Sequence, residues 1–295
     1  MPMNELISPV AERAEFEGTE RSIGAILVDS GALTRPDVER ILEQQRAQGG
    51  RFGDAGKALG LIEQRDIDFA LSRQFDYPYL RRGESRVSEA LVAAYEPASP
   101  QVEALRALRS ELMLHWFSED AAHKSVAVVS EARGDGRSYI AANLAVVLSQ
   151  LGGRTLLIDA DLRNPSQHAR FGLENRIGLS AVLAGRAGAE AVQRVAELGS
   201  LSVLPSGVAP PNPQELLARP TFGVLLERLA EHVDFILIDT PPATESADAQ
   251  TVAARARSAL FVLRKNHSRL WRVQAIAESV ARARATVLGA VLNDF

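Results

Sequence analysis

From residue 124 onward the chain alternates short apolar runs with longer stretches whose apolar positions recur at helical spacing. The runs are SVAVVS (125–130), TLLIDA (155–160), LSVLP (201–205), DFILID (234–239), ALFVL (259–263) and VLGAVLN (287–293). YIAANLAVVLSQL (139–151) and FGVLLERLAEHV (222–233) are two of the helical stretches between them. Unbroken apolar strands separated by helices predict a mainly parallel sheet covered on both faces. Right-handed crossovers then gather the loops that follow the strands at one sheet edge, where ligands bind.

The N-terminal pattern differs. SIGAILVDSGALTRPDVERILEQQ (22–45) and RFGDAGKALGLIEQRDIDFALSRQ (51–74) match at an offset of 29 residues, sharing Gly24/Gly53, Gly31/Gly60, Asp37/Asp66, Leu42/Leu71 and Gln45/Gln74. Each copy reads as a short helix, a glycine turn and a second helix. Thr34 and Pro36 mark a capped start for the second helix of the first copy. Units this small cannot each enclose a core, so the two are expected to pack on one another. The chain thus divides into a helical tandem-repeat module (18–81), a linker (82–100) rich in proline and arginine with little periodicity, and a domain of alternating strands and helices (101–295). The fold class expected is α/β, with a small mainly α-helical domain in front.

Composition narrows the chemistry. A formal net charge of −4 speaks against a chain that mainly binds polyanions. The absence of cysteine removes disulfides, Cys-containing zinc sites and thiol nucleophiles, and fits a reducing compartment. The five histidines show no metal-ligand spacing. No apolar run approaches bilayer length, and the acidic N-terminus lacks the order of a signal peptide. The expected location is cytoplasmic, and any membrane role must go through a partner.

The loop SEARGDGRS (130–138) leaves the first apolar run and opens a helix. Gly134 and Gly136 allow backbone amides to turn around an anion, and the helix N-terminus adds partial positive charge. Ser138 offers a hydroxyl to Mg²⁺. Against the pattern G-x-x-x-x-G-K-[ST], Glu131 replaces the first glycine and Arg137 the lysine. LLIDADLR (156–163) ends a strand in Asp159 and Asp161, and FILIDTPP (235–242) ends another in Asp239. Strand-tip aspartates suit a divalent ion or its water shell, although any one could simply cap a turn.

This part of the chain resembles the bacterial tyrosine kinases of capsule and exopolysaccharide biosynthesis, relatives of the MinD and ParA P-loop ATPases. The resemblance rests on EALRALR (103–109), the loop above, AANLA (141–145), LLIDADLRNP (156–165), GLSAVLAG (178–185), PPNPQELL (210–217), ILIDTPP, SADAQ (246–250) and VLN (291–293). The added N-terminal module makes the chain-length-determinant subgroup the best match. The resemblance implies ATP and Mg²⁺ as cofactors. It implies that Gly134, Asp135, Gly136, Arg137, Ser138 and Tyr139 hold the nucleotide, with Asn293 reaching the adenine. Ser138, Asp239 and Asp159 would position the metal. Asp159 and Asp161, with Arg137, would serve catalysis by orienting the metal or accepting the attacking hydroxyl's proton. Glu103, Arg106 and Arg109 would contact a neighbouring subunit in a ring; by spacing alone they form an ordinary solvated helix face. The implied partner is a membrane chain-length-determinant protein, a polysaccharide co-polymerase, met through its cytoplasmic segment.

The tandem module resembles the N-terminal domain of type II secretion and pilus-assembly ATPases, some of which bind cyclic di-GMP. Arg51, Phe52, Gly53 and Gln74 fit that pattern; in the first copy Gly24 and Gln45 fit, while Ser22 replaces the arginine. Two readings stand for it: a cyclic di-GMP site, or a docking module whose glycines only end helices.

Two departures shape the functional expectation. Arginine keeps the positive charge at 137 but not the compact shape of an ammonium, so nucleotide binding should survive more readily than phosphoryl transfer. The four tyrosines, Tyr77, Tyr79, Tyr95 and Tyr139, lie far from the C-terminus, so a self-phosphorylated tail is not expected. Between residues 255 and 284 eight basic residues face the single acid Glu278; they fit DNA phosphates, an acidic partner or solvated helix faces. Three functions are open: a tyrosine kinase of exopolysaccharide synthesis, a nucleotide-binding switch without transfer, and a DNA-partitioning ATPase. PPNPQELL and EALRALR disfavour the third, and no nucleic-acid partner is expected.

Overall fold

The structure, a computed structural model, describes residues 22–74, 79–118, 120 and 123–295. The N-terminal stretch on which the targeting expectation falls, and Tyr77, lie outside the described residues. The chain forms two compact units, divided along the sequence between Arg81 and Arg82.

The first unit is two helix pairs, α1 (Ile23–Asp29) with α2 (Arg35–Gln48), and α3 (Phe52–Ala58) with α4 (Gln64–Gln74). Thr34 caps α2: its hydroxyl accepts the Asp37 amide, and the Asp37 carboxylate accepts the Thr34 amide. Leu27, Ile41, Ile62, Ile67 and Ala70 form a core shared by both pairs. Gly24 and Gly53 face this core. A Cβ on Gly24 would meet Val38 Cγ1 at 3.1 Å, and one on Gly53 would meet Ile67 Cδ1 at 2.7 Å. These glycines let the side chains of α2 and α4 pack closely against α1 and α3. Gln45 Nε2 donates to the Gly50 carbonyl at 3.0 Å and closes the spacer. Arg51 and Gln74 are exposed at helix ends. The Tyr79 hydroxyl donates to the Arg65 carbonyl, and its ring packs edge-on against Phe69.

The second unit carries α5 (Val92–Tyr95), α6 (Pro100–His115), β1 (Ser125–Ser130), α7 (Arg137–Ser149), β2 (Thr155–Asp159), α8 (Gln167–Arg170), α9 (Leu179–Leu183), β3 (Gln193–Arg194) and β4 (Leu201–Leu204). It continues with α10 (Pro213–Ala218), α11 (Pro220–Ala230), β5 (Phe235–Asp239), α12 (Asp248–Ala256), β6 (Ser258–Arg264), α13 (Leu270–Arg282) and β7 (Thr286–Asn293). The strands form one sheet in the order β3-β4-β2-β5-β1-β6-β7, parallel except for β3. Every residue of β1, β2, β4 and β5 is buried, which is why these segments read as unbroken apolar runs. The inner strands order themselves so that β5 lies between β1 and β2, with Asp159 and Asp239 in register on neighbouring strands. The tips of β1, β2 and β5 therefore share one stretch of sheet edge.

Two expectations need correction, and one strand was not expected. β7, read as a buried strand, is an edge strand with Val287 and Leu292 exposed. The two-residue antiparallel β3 has too little pattern to be seen in sequence. The stretch 82–100 is no free linker but part of the second unit. Leu91, Ala93 and Ala94 are fully buried there, Ala93 N–H donates to Asn143 Oδ1 at 2.9 Å, and Gln150 Nε2 donates to the Ala93 carbonyl at 2.9 Å. Its apolar residues fall in a single short turn, too few to show a period.

Asn143, itself fully buried, is the anchor of this stretch. Replacing Asn143 by Ala strands the Ala93 amide and should cost about 1–3 kcal/mol. Urea unfolding measures the loss, and limited proteolysis should then cut first within residues 82–100.

Candidate active site

The loop after β1 is shaped by two glycines in the left-handed region, Gly134 (φ 87°) and Gly136 (φ 91°). Gly136 ends the loop and α7 starts at Arg137, two residues earlier than the apolar pattern suggests. Among the described residues no acceptor in the chain takes the amides of Gly134, Gly136, Arg137 or Ser138. A turn of unsatisfied donors at a helix N-terminus is an anion cradle. A cavity of about 760 Å³ opens beside it, lined by Gly136, Tyr139, Arg170, Asn293 and Phe295. Of the loop only Gly136 lines this cavity; Leu105 and Leu108 of α6 and Tyr139 of α7 form other parts of its wall, and the Arg137 side chain is buried on the side of the strand tips.

The acidic side chains of the loop point away from the cradle and brace it. Asp135 is 1% exposed; one carboxylate oxygen accepts the Ala132 amide at 2.8 Å and the other the Ser268 hydroxyl at 3.1 Å. Glu131, standing where the usual pattern has glycine, accepts the Arg269 amide at 2.5 Å and lies 3.5 Å from the Arg272 guanidinium. Asn293 Nδ2 donates to the Asp135 carbonyl at 2.9 Å, so this residue closes the loop as well as lining the cavity.

Arg137 turns inward. Its Nε donates to Asp239 Oδ1 at 3.0 Å, Nη1 to the Ser130 hydroxyl at 3.0 Å, and Nη2 lies 3.5 Å from Asp161 Oδ2. The other Asp239 oxygen accepts Gln167 Nε2 at 2.7 Å, and the same amide group donates to the Ser138 carbonyl. Asp159 is fully enclosed: Oδ1 accepts the Asp161 amide, and Oδ2 accepts the Ser166 and Gln167 amides, each at 2.9 Å. Burial, reinforced by the nearby Asp239 charge, pushes the Asp159 carboxyl up to about 8, although its amide partners pull the other way. Burial raises Asp161 too, against the pull of the Asn164 amide and of Arg137.

The loop residues, Asp159, Asp161, Asp239 and Asn293 are thus brought together, and the geometry alters what each can do. Asp159 has no exposed surface for a substrate hydroxyl and instead fixes the loop 161–167. Asp161 is the acid nearer the surface. The donors fit a polyphosphate. The acids fit a divalent ion poorly, because Asp239 is fully buried and each of its oxygens already takes a donor, one from Arg137 and one from Gln167. The expected interface residues lie apart on α6: Glu103 and Arg106 pair with each other, and Arg109 donates to the Val147 carbonyl at 2.9 Å near the end of α7. Arg109 is therefore engaged within its own chain. Sequence reasoning missed Gln167, Ser130 and the pair of Arg163 with the buried Asp248 at 3.0 Å. SADAQ was the one sequence signal for the last of these.

This sheet order and this loop define a P-loop nucleotide-binding protein. A ParA family model, described as NUBPL iron-transfer P-loop NTPase, matches residues 121–293. Tyrosine-protein kinase YwqD of Bacillus subtilis is 36% identical over 209 residues, covering 71% of this chain and 87% of YwqD. Tyrosine-protein kinase wzc of Salmonella typhimurium is 33% identical over 204 residues, 69% of this chain but 28% of wzc. Among solved structures, the kinase domain of Escherichia coli tyrosine kinase ETK superposes with a TM-score of 0.66 at 30% identity, covering 75% of this chain and 85% of that one. The chimerical protein CapA2B2 superposes with a TM-score of 0.64 at 35% identity, covering 76% and 96%. The chain belongs to the bacterial tyrosine kinases with a ParA-like P-loop NTPase domain.

Two outcomes follow for stability. Arg137→Met leaves Asp239 and Asp161 buried without a counter-charge and should cost about 3–5 kcal/mol in urea unfolding, with Arg137→Lys losing clearly less. Asp159 has a folded value above its ordinary 3.8, so the folded state binds the extra proton and the stability tied to this group falls as pH rises from about 4 toward 8. Asp159→Asn removes that fall. The variant's unfolding midpoint relative to the parent should therefore improve steadily from pH 5 to pH 8.5, and a constant difference would contradict the assignment.

Proposed function

We propose that this chain is an ATP-dependent protein-tyrosine kinase of exopolysaccharide biosynthesis, acting on a tyrosine supplied by another protein. The observation that carries the reading is the turn of unpaired amides between Gly134 and Ser138, set against acids at the tips of β2 and β5, with a cavity of about 760 Å³ reaching Gly136. In the transfer the acceptor phenol oxygen attacks the γ-phosphorus and the bond to the bridging oxygen of ADP breaks. The phenol proton passes to Asp161, whose burial makes it a stronger base than an exposed aspartate. The amides of the cradle and the α7 N-terminus carry the phosphate charge. The described tyrosines support an acceptor from elsewhere: Tyr95 donates its hydroxyl to the Val87 carbonyl, Tyr79 to that of Arg65, and Tyr139 is half-buried on α7.

The partner that fits this reading is the cytoplasmic segment of a membrane chain-length protein; among the described residues no helix is long and apolar enough to cross a membrane. The buried glycines of the first unit favour its use as a docking module. DNA partitioning is disfavoured by the basic residues after 254, several of which are held within the fold: Arg255 on the Ala218 carbonyl, Arg264 on that of Phe295, and Lys265 on Asp294.

A second reading, a nucleotide-binding switch without transfer, is favoured by one observation: Arg137 is committed to Asp239 and Asp161, away from the cradle. Incubation with labelled ATP, Mg²⁺ and a tyrosine-bearing partner segment separates the two. The kinase reading expects phosphotyrosine that falls at least about tenfold in Asp161→Asn and rises in Arg137→Lys. ATP binding with no phosphotyrosine in either the parent or Arg137→Lys leaves the switch.

A further inference from the structure

We propose that Arg137 is a built-in replacement for the divalent ion at this sheet edge, so that the chain binds nucleoside diphosphate equally well with and without Mg²⁺. The inference rests on the nucleotide site described above. Its ground is the count of donors around Asp239, the strand-tip acid that sequence reading gave to the metal. Asp239 is fully buried and has two oxygens. One takes Arg137 Nε at 3.0 Å, the other takes Gln167 Nε2 at 2.7 Å. Each oxygen keeps a second lone pair, but Asp239 has no exposed surface, so a hydrated cation reaching it would have to displace Arg137 or Gln167 from a strong bond in an enclosed place.

Charge points the same way. Asp239 and Asp161 would attract a divalent ion if bare. A guanidinium lying 3.0 Å from one and 3.5 Å from the other cancels much of that attraction and adds its own repulsion. Asp159 contributes little, because its carboxyl is enclosed and accepts three backbone amides.

Shape explains why arginine and not lysine does this. The planar fork spans three acceptors at once: Asp239, Asp161 and the Ser130 hydroxyl, which Arg137 Nη1 meets at 3.0 Å. An ammonium is a compact point charge with a free stem. At position 137 it would be released more easily toward the phosphates, leaving Asp239 an oxygen for the ion. Arg137 is therefore a specificity-determining residue: it sets which form of the nucleotide, free or metal-complexed, the site prefers.

The test is calorimetric titration of the full chain with ADP in excess Mg²⁺ and again in EDTA. The proposal expects the two affinities to agree within about threefold, and Arg137→Lys to favour the Mg²⁺ condition by about tenfold or more. A preference of that size in the unmodified chain overturns the proposal while leaving the nucleotide site in place. An Arg137→Lys protein as indifferent to Mg²⁺ as the parent overturns the role given to Arg137. Absence of ADP binding in both conditions removes the nucleotide site and this inference together. Should Arg137→Lys fail to fold, Mn²⁺ spin relaxation on the unmodified chain with ADP decides: a signal no different from Mn²⁺ and ADP alone supports the proposal, and protein-bound Mn²⁺ refutes it.

Discussion

Two neighbouring parallel strands, β2 and β5, end in aspartates that stand in register, and neither side chain reaches water. Two buried carboxylates side by side cannot both stay ionised without compensation. The chain answers with a proton preference at Asp159 and a guanidinium and an amide at Asp239. Much of the rest of the site follows. Gln167 must sit where it does to serve Asp239, so the loop after β2 must fold back, and the three amides that Asp159 accepts hold it there. Arg137 must turn inward, so the phosphate loop is tied to the acids through its own helix start.

The opposite side of the loop is tied down just as firmly. Asp135 and Glu131 take donors from the segment between β6 and α13, and Asn293 at the end of β7 fastens the Asp135 carbonyl. Elements far apart in sequence therefore hold a loop of nine residues before any ligand arrives. A cradle held in place this way needs little ordering when a polyphosphate enters. Transfer is another matter, because the side chain best placed to follow charge onto the leaving phosphate is engaged elsewhere. The same tethers that ease binding work against the chemistry, and this is the physical reason a kinase and a switch are both coherent readings of one arrangement.

What was legible in the sequence was what depends on local pattern. β1, β2, β4 and β5 announce themselves because burial on both faces leaves them no polar–apolar alternation, with aspartate only at the tips of β2 and β5. The loop and the strand-tip acids are legible because glycines at 134 and 136 and aspartates after apolar runs have few structural alternatives. Gln167 was illegible: its contact to Asp239 spans 72 residues of chain and exists only because the sheet order sets β2 beside β5. The stretch 82–100 was misread because prolines and arginines mask a single turn of buried alanines. β7 was misread because an edge strand can be apolar when it has only one neighbour. The repeat glycines left two readings open for a different reason. A glycine that admits a ligand and a glycine that admits another helix leave the same mark in a sequence, and only the neighbours, Val38 and Ile67, distinguish them.

Position 137 carries that lesson to chemistry. Read as a charge, arginine for lysine conserves the site. Read as a shape, it does not, because a fork with five donors seeks several fixed acceptors at once and an ammonium does not. The Ser130 hydroxyl and the Asp239 and Asp161 carboxylates lie at the right spread to satisfy it; the first two stand on strands of the sheet, and Asp161 is tied to the tip of β2 through its amide on Asp159. The substitution is thus supported by its surroundings, as a designed contact is and a chance loss is not. Its consequence reaches beyond the loop, since a cation bound to the protein by covalent bonds cannot leave with the product as a metal ion can.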